Sequence, residues 1–354
     1  MKFVILAGGT GKRLWPLSTL KKPKQFHSFL SERTLYQEAF DRITAFAKPA
    51  DIFVATNHEH VGTILEQTPE IPEENVIVEP SCRDTAACMS FATKYLETLF
   101  GPEETISIIY ADQMIKYNDE FQEKTILGHK LAAEEDKMVI IEVKAKNPNT
   151  NYGYVKLGDH TQTVDNIEIY ELDHFTEKPD LETARKFVQS YKYLWNTGLY
   201  IWKIGTFLGY IEKFAPEIHQ VLNNIQDFKN CPSEYNTFPK ISLDYALMEK
   251  IDPTNVWIIP ADLGWSDIGT WQTLFEELTE NDEENLTEGQ VYHLDTTGSI
   301  MINKQEGKKL TAINMQDIVI INTEGSILVC PRRECKNIKL LLDQIKDSNK
   351  SDSD

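Results

Sequence analysis

The residues best suited to chemistry lie close to the N-terminus. A short apolar run, Lys2–Leu6, leads into Ala7-Gly8-Gly9-Thr10-Gly11-Lys12-Arg13-Leu14-Trp15-Pro16-Leu17, and Lys22-Pro23-Lys24-Gln25-Phe26 follows. A glycine-rich turn lets backbone N–H groups approach phosphate oxygens closely, and a helix start just beyond it adds partial positive charge. The run is not a dinucleotide fingerprint, because Gly9 and Gly11 are followed by Leu14 where a third glycine is needed. Nor is it a P-loop, which needs a glycine where Leu6 stands and Ser or Thr where Arg13 stands. What remains is G-x-G-x-R-x-x-P with the cation Lys24 shortly after it. Phosphoryl chemistry also needs a metal cation beside the phosphate under attack, and Mg²⁺ takes few protein carboxylates. Asp112 ends the apolar run Ile106–Tyr110, where a parallel sheet presents its ligand-facing edge. A strand-end aspartate also serves as a turn or helix cap, so both readings stand at this point.

These residues need a scaffold, and the hydrophobic pattern supplies one. Strands are expected at Lys2–Leu6, Asp51–Thr56, Asn75–Val78, Thr105–Tyr110 and Met138–Val143, with helices at Thr34–Phe46 and Thr85–Phe100. Continuous apolar strands separated by helices predict an α/β fold with a mostly parallel sheet covered on both faces. After Asn151 the order becomes mixed. Strands are expected near Tyr154–Leu157, Ile167–Leu172 and Thr197–Trp202, and helices at Leu181–Ser190, Thr206–Phe214 and Leu243–Ile251. The domain division expected from composition is a catalytic domain over 1–278 and an acidic linker over 279–289. A small β-rich domain with a terminal helix follows over 290–347, and a frayed tail over 348–354.

Composition narrows the function classes. A formal net charge of −19 argues against nucleic acid or an anionic membrane as a general partner. An acidic chain that binds a triphosphate must build a local island of cations, which makes the placement of Arg13 and Lys24 informative. No apolar run approaches the roughly 20 residues needed to span a bilayer, and the start of the chain reads as a strand rather than a signal peptide. The five cysteines, Cys82, Cys88, Cys231, Cys330 and Cys335, are odd in number and mostly far apart, which suits reduced thiols in a cytoplasm. His58-Glu59-His60 is expected on the surface, since histidines two apart share no helical face.

The glycine loop and Pro23-Lys24-Gln25-Phe26 resemble the nucleotide-binding signature of sugar nucleotidyltransferases, and the wording is similar to that of mannose-1-phosphate guanylyltransferases. The resemblance runs from about Met1 to Trp271 and is weaker in the β-rich tail. It implies a Rossmann-like nucleotidyltransferase domain followed by a short left-handed β-helix-like unit near a dimer interface. It also implies Mg²⁺-dependent transfer of a guanylyl group from GTP to mannose 1-phosphate, in a chain too short for the isomerase domain of longer bifunctional relatives. Carried over, the backbone of Leu6, Ala7, Gly8, Gly9, Thr10, Gly11 and Lys12 cradles the triphosphate. Arg13 and Lys24 bind its phosphates, and Lys178 joins them as a catalytic cation. Gly264-Trp265-Ser266-Asp267-Ile268-Gly269-Thr270-Trp271 resembles the family's second metal-ligand segment, so Asp112 and Asp267 are the implied Mg²⁺ ligands.

Other segments match in chain order. Glu79, Pro80, Arg83, Asp84 and Thr85 resemble the stretch beside the nucleotide base; Asp84 replaces the usual Asn, and a helix N-cap is the lesser alternative for it. Tyr152 and Gly153 resemble the segment lining the sugar pocket. In Phe175-Thr176-Glu177-Lys178-Pro179 the implied roles are Glu177 on sugar hydroxyls and Lys178 on the sugar phosphate, and Asn196 in Trp195-Asn196-Thr197-Gly198 reaches the sugar too. Asp244, in a segment similar to the family's SIDYAVME, is either functional or a cap. Gln113 departs from the family pattern, which commonly has His after the first metal aspartate. These two departures leave open the same chemistry with another nucleotide or hexose phosphate. A catalytically silent regulatory homologue and a dinucleotide oxidoreductase are the readings from other classes.

Overall fold

A computed structural model of the chain describes residues 1–9, 11–29 and 31–351, apart from the side chains of Lys12 and of residues 346–351. The expectations on Thr10, on the Lys12 side chain and on residues 352–354 lie outside the described residues. The chain divides into two compact units, neither continuous in sequence. The first comprises Met1–Gly8, Gln37–Ala111 and Ile115–Trp265; the second comprises Gly9–Tyr36, Asp112–Met114 and Ser266–Asp354.

The first unit is built on nine strands: β1 (Lys2–Leu6), β2 (Ile52–Asn57), β3 (Val76–Glu79), β4 (Thr105–Tyr110), β5 (Met138–Lys144), β6 (Tyr154–Val164), β7 (Ile167–Thr176), β8 (Tyr193–Lys203) and β9 (Val256–Ala261). They form one sheet in the order β3-β2-β1-β4-β8-β5-β9-β7-β6. β3, β2, β1 and β4 are mutually parallel, as are β5 and β9, while β8 runs antiparallel to both β4 and β5. The order reverses on either side of β1, so the crevice at the carboxyl ends of β1 and β4 is a topological switch point, where open α/β sheets present ligands. Leu6 and Tyr110 are paired there in register. Gly8 follows one strand end and Asp112 the other, so the strand ends expected from the apolar runs are where the chain departs toward its candidate residues.

The helices are α1 (Leu35–Thr44), α2 (Val61–Gln67), α3 (Asp84–Phe100), α4 (Asn118–Glu135), α5 (Leu181–Ser190), α6 (Ile204–Phe214), α7 (Pro216–Asn224), α8 (Pro232–Tyr235), α9 (Trp271–Leu278) and α10 (Ile338–Ser351). α3 is buried continuously from Ala86 to Thr93, because it packs on α6 and α7 as well as on the core of the sheet. Where Leu243–Ile251 is expected to be a helix, the structure has a π-turn over Asp244–Met248, closed by the Glu249 N–H on the Asp244 carbonyl at 3.0 Å. His60 is buried, not on the surface as expected, while His58 is exposed.

In the second unit, β10 (Leu286–Glu288), β12 (Ile300–Asn303) and β14 (Ile318–Asn322) stack in parallel, and β15 (Ile327–Pro331) closes the sheet antiparallel to β14. β11 (Val291–Leu294) and β13 (Leu310–Ile313) form a second parallel ladder, so successive strands alternate between two faces of a small coil. Its core joins Ile300, Ile302, Val319 and Ile321 to Leu14, Leu17, Met114, Ile268 and Trp271. The glycine-loop segment and the Asp267 segment are thus held by one apolar cluster. Arg332 is buried here, paired with Asp317 at 3.0 Å and with Asp282 at 3.3 Å, and its guanidinium lies 3.7 Å from the Phe275 ring centroid. No helix among the described residues is long and apolar enough to cross a membrane.

A buried histidine fixes part of the first unit's pH response. His129 of α4 sits between the Ser107 and Thr105 hydroxyls of β4, at 2.7 and 2.8 Å, with its ring edge-on to Phe3. Burial, with a smaller push from the N-terminal ammonium, lowers its pKa from 6.5 to about 3. The unfolded chain therefore binds a proton that the folded one refuses. Stability from this group is complete above pH 6.5 and is lost as pH falls toward 3, at a limiting slope of roughly 1.4 kcal/mol per pH unit. Urea midpoints measured over that range are expected to lose this one-proton component in His129→Gln, which keeps a donor and an acceptor. Equal slopes in both proteins would refute the assignment.

Candidate active site

The chain enters the first group of candidate residues from β1. Leu6 and Ala7 are buried and their backbones are committed to neighbouring strands: the Leu6 carbonyl accepts from Ala111 N at 3.1 Å, and Ala7 N donates to Ala55 O at 2.8 Å. Gly8 is the first residue beyond these sheet bonds. Gly11 has φ +53°, a left-handed conformation that an L side chain adopts at a cost of about 1–2 kcal/mol. A Cβ there would also lie 2.9 Å from the Lys24 backbone nitrogen and 2.7 Å from the Ser18 hydroxyl. The glycine is thus what lets the loop pack directly on the Pro23–Gln25 segment. Gln25 fastens the contact by donating to the Gly9 carbonyl at 3.1 Å.

Lys24 is the centre of this group. Its side chain is 9% exposed, and its ammonium meets Asp112 Oδ2 at 3.0 Å and the Asp267 carbonyl at 2.6 Å. The two aspartates, far apart in sequence, are brought side by side by a bridge in which Met114 N donates to Ser266 O at 2.9 Å and Ser266 N returns a bond at 3.1 Å. Asp267 is further restrained because its Oδ1 accepts from Gly269 N at 3.0 Å. The intervening Ile268 has φ +41°, an outlier for a β-branched residue that costs about 1–3 kcal/mol. Complete burial of its side chain in the second unit's core holds it there. Two carboxylates beside an open glycine loop match the donor set Mg²⁺ prefers, about one or two carboxylates with the remaining positions left to phosphate and water. Arg13 is exposed and makes no hydrogen bond or ion pair among the described residues. Gln113 is buried.

The second group lies in the first unit, where three separate motifs converge. A Cβ on Gly153 would meet Glu177 Oε2 at 2.6 Å, the Phe175 ring at 2.9 Å and Asn196 Cβ at 3.1 Å. Its carbonyl accepts from Asn196 N at 2.9 Å. The Tyr152 ring stands edge-on to both Trp195 and Trp265, with centroids 5.1 and 5.2 Å away. Lys178, at φ +46°, turns its ammonium onto the Glu177 carboxylate. Burial, then the nearby Asp244 charge, pushes the Glu177 acid above its usual range, and Lys178 opposes the shift. Asp244, which sequence left as either functional or a cap, belongs to this group. Its Oδ1 accepts from Asn196 Nδ2 at 3.0 Å and from the Tyr200 hydroxyl at 2.8 Å. The π-turn that aims it there has no signature in helical periodicity, and such turns recur at functional sites. Sequence reasoning missed Tyr200 and Glu142 altogether, because both lie within strands that read as plain core.

The third group, also in the first unit, surrounds the start of α3. Glu79 is buried, accepts from the Tyr235 hydroxyl, and lies 3.3 Å from where a Gly8 Cβ would stand. Burial raises its pKa against the opposing hydrogen bonds from Tyr235 and Cys88. Arg83 reaches Asn236 Oδ1 at 3.4 Å. Asp84 is the first residue of α3 rather than its N-cap, which is Arg83; it has φ +68° and turns Oδ1 back to Thr85 N at 2.8 Å. The Thr85 hydroxyl accepts from Leu243 N at 2.9 Å, bracing the Asp244 turn.

Gly11→Ala is expected to weaken binding of a nucleoside triphosphate at least tenfold by titration calorimetry, equivalent to about 1.4 kcal/mol. Gly62→Ala is the control, since a Cβ there meets open space. Unchanged affinity in the Gly11 variant would remove the loop from the phosphate site.

Comparison with known proteins identifies the family. The chain is 29% identical over 353 residues to the mannose-1-phosphate guanylyltransferase ManC of Salmonella typhimurium, covering 97% of this chain and 72% of that protein. It is 30% identical to the xanthan biosynthesis protein XanB of Xanthomonas campestris, over 99% of this chain and 74% of that one. A crystal structure from Thermus thermophilus, described as a mannose-1-phosphate geranyltransferase, superposes with a TM-score of 0.87 over 98% of this chain and 99% of its own; at 24% identity it speaks for the fold. The profile of the nucleotidyl transferase family matches residues 2–284, from the first strand to the acidic turn before the small β coil, and the chain therefore belongs to that family.

Proposed function

We propose that this chain transfers a guanylyl group from GTP to α-D-mannose 1-phosphate, giving GDP-mannose and pyrophosphate. The observation that carries the reading is the Lys24 ammonium, seated against the glycine loop and bonded to both the Asp112 carboxylate and the Asp267 backbone. A cation and two carboxylates at such a loop suit phosphoryl transfer. The relatives named as mannose-1-phosphate guanylyltransferases support the choice of substrates.

In the proposed reaction an oxygen of the sugar phosphate forms a bond to the α-phosphorus of GTP. The bond from that phosphorus to the α,β-bridging oxygen breaks, and pyrophosphate leaves with the electron pair. The nucleophile is already an anion, so no side chain has to remove a proton. The work left to the chain is positioning and charge neutralisation. Arg13, Lys24 and the N–H groups from Gly8 to Gly11 neutralise the phosphates of the nucleotide. Glu177 and Asn196 orient sugar hydroxyls, Gly153 and Tyr152 line the sugar pocket, and Lys178 exchanges its Glu177 partner for the sugar phosphate. Glu79 and Arg83 serve the base, with Asp84 and Thr85 shaping the backbone there. Asp112 and Asp267 would hold Mg²⁺, which supplies charge neutralisation at the α-phosphate. A cytoplasmic location, supported by five free cysteines, and a homodimer complete the reading.

Pyrophosphate release with mannose 1-phosphate and Mg²⁺ is to be followed across GTP, ATP, UTP, CTP and dTTP. Release with GTP alone, lowered at least a hundredfold in Asp267→Ala, roughly 2.7 kcal/mol of barrier, is the expected result. Release with a different nucleotide would keep the chemistry and overturn guanylyl specificity. GTP binding without release, with mannose or other hexose 1-phosphates, would make the chain a silent regulator.

A further inference from the structure

Glu142 is fully buried in β5, and the reaction above gives it no task. It lies where the β5·β8 ladder breaks register: Ile141 pairs with Leu199 and Val143 pairs with Trp195, so Glu142 alone faces the three residues Asn196, Thr197 and Gly198. The broken corner is fastened by four short bonds. Thr197 N donates to Glu142 Oε2 at 2.7 Å, the Thr197 hydroxyl donates to Ile141 O at 2.6 Å, Leu199 N donates to that hydroxyl at 3.1 Å, and Gly198 N donates to Asn196 Oδ1 at 3.0 Å. Gly198 turns the chain at φ +76°, where a Cβ would lie 2.4 Å from the Tyr110 ring. A bulge of this kind re-aims a side chain. Here it leaves Asn196 Nδ2 pointing at Asp244 Oδ1 and the Tyr200 hydroxyl.

We propose that Glu142 is a positioning residue for the sugar phosphate, holding the Asn196–Gly198 corner so that Asn196 presents its amide to the sugar. This rests on the reading of the Asn196 group as the sugar side of the site. Of the four bonds at the corner, the one to Glu142 comes from a side chain of the opposite strand. Removing Glu142 Oε2 takes away the acceptor of a buried bond, which costs enough to reshape the corner. The other carboxyl oxygen, Oε1, is buried with no partner among the described residues. Burial, and then the Asp244 charge, pushes the acid well above the usual carboxylate range. The corner is held by one acceptor oxygen, which an amide can supply in its place.

The test compares Glu142→Gln with Glu142→Met, which keeps the volume and removes the acceptor. Hydrogen exchange of the Trp195–Leu199 amides, read without substrate, is expected to be as slow in the Gln variant as in the wild type and at least tenfold faster in the Met variant. KM for the sugar phosphate is expected to rise at least tenfold in Glu142→Met, with KM for the nucleotide within twofold, and to return near the wild-type value in Glu142→Gln. In an Asn196→Ala background, Glu142→Met is expected to add less than twofold. Slow exchange in Glu142→Met overturns the proposal whether or not turnover is seen. So does an unchanged sugar KM, or a Gln variant as impaired as Met. Absence of turnover in the wild type, with the exchange result as expected, would instead count against the functional reading while leaving the corner's role intact.

Discussion

Lys24 is a cation with almost no access to water, and its ammonium is the constraint on which the second unit's candidate site depends. A buried ammonium must be paired, because leaving it unpartnered costs several kcal/mol. Its partners are Asp112 and the backbone of Asp267. The Met114–Ser266 bridge lets two distant segments meet that demand together, and the left-handed Ile268 is the local strain that results. Gly11 is a consequence of the same pairing, since any side chain there would collide with the Lys24 backbone. The loop, both aspartates and the apolar cluster beneath them thus form one cooperative piece. A phosphate arriving there would meet charges already fixed in place, the condition under which electrostatic stabilisation is strongest.

The first unit solves a different problem, that of aiming short polar side chains from strands. It uses departures from regular structure in place of long reach. A bulge turns Asn196, a π-turn turns Asp244, and a left-handed residue turns Lys178 onto Glu177. Gly153 then supplies the clearance beside Glu177, Phe175 and Asn196. The bulge among them is held by buried hydrogen bonds.

The sequence exposed those parts whose chemistry is local. The glycine loop, the strand-end Asp112 and the parallel strands at the switch point were legible because glycine spacing and apolar runs report backbone geometry directly. α4 was not, since its buried face carries Lys124, Thr125 and His129 and so lacks an apolar stripe. β9 was hidden by Pro260 near its end, and β10 by the acidic stretch around it. Leu6 and Ala7 fell within the loop motif, yet their polar groups are used by the sheet. Thr85 fell within a base-side motif, yet its hydroxyl braces Leu243. Glu142, Tyr200 and the meeting of Asp244 with Asn196 depend on strand register and on a turn type that periodicity does not encode. They became visible only in three dimensions.

The central claim is that one buried ammonium organises the loop and both aspartates, and the steady-state kinetics of Lys24→Met test it most directly. Loss of kcat/KM by about a thousandfold or more, near 4 kcal/mol of transition-state stabilisation, is the predicted result, with the far-UV spectrum and the Gly11–Ser18 exchange pattern showing a folded protein whose loop has loosened. Activity within tenfold of wild type, with the loop's exchange unaltered, would contradict the account.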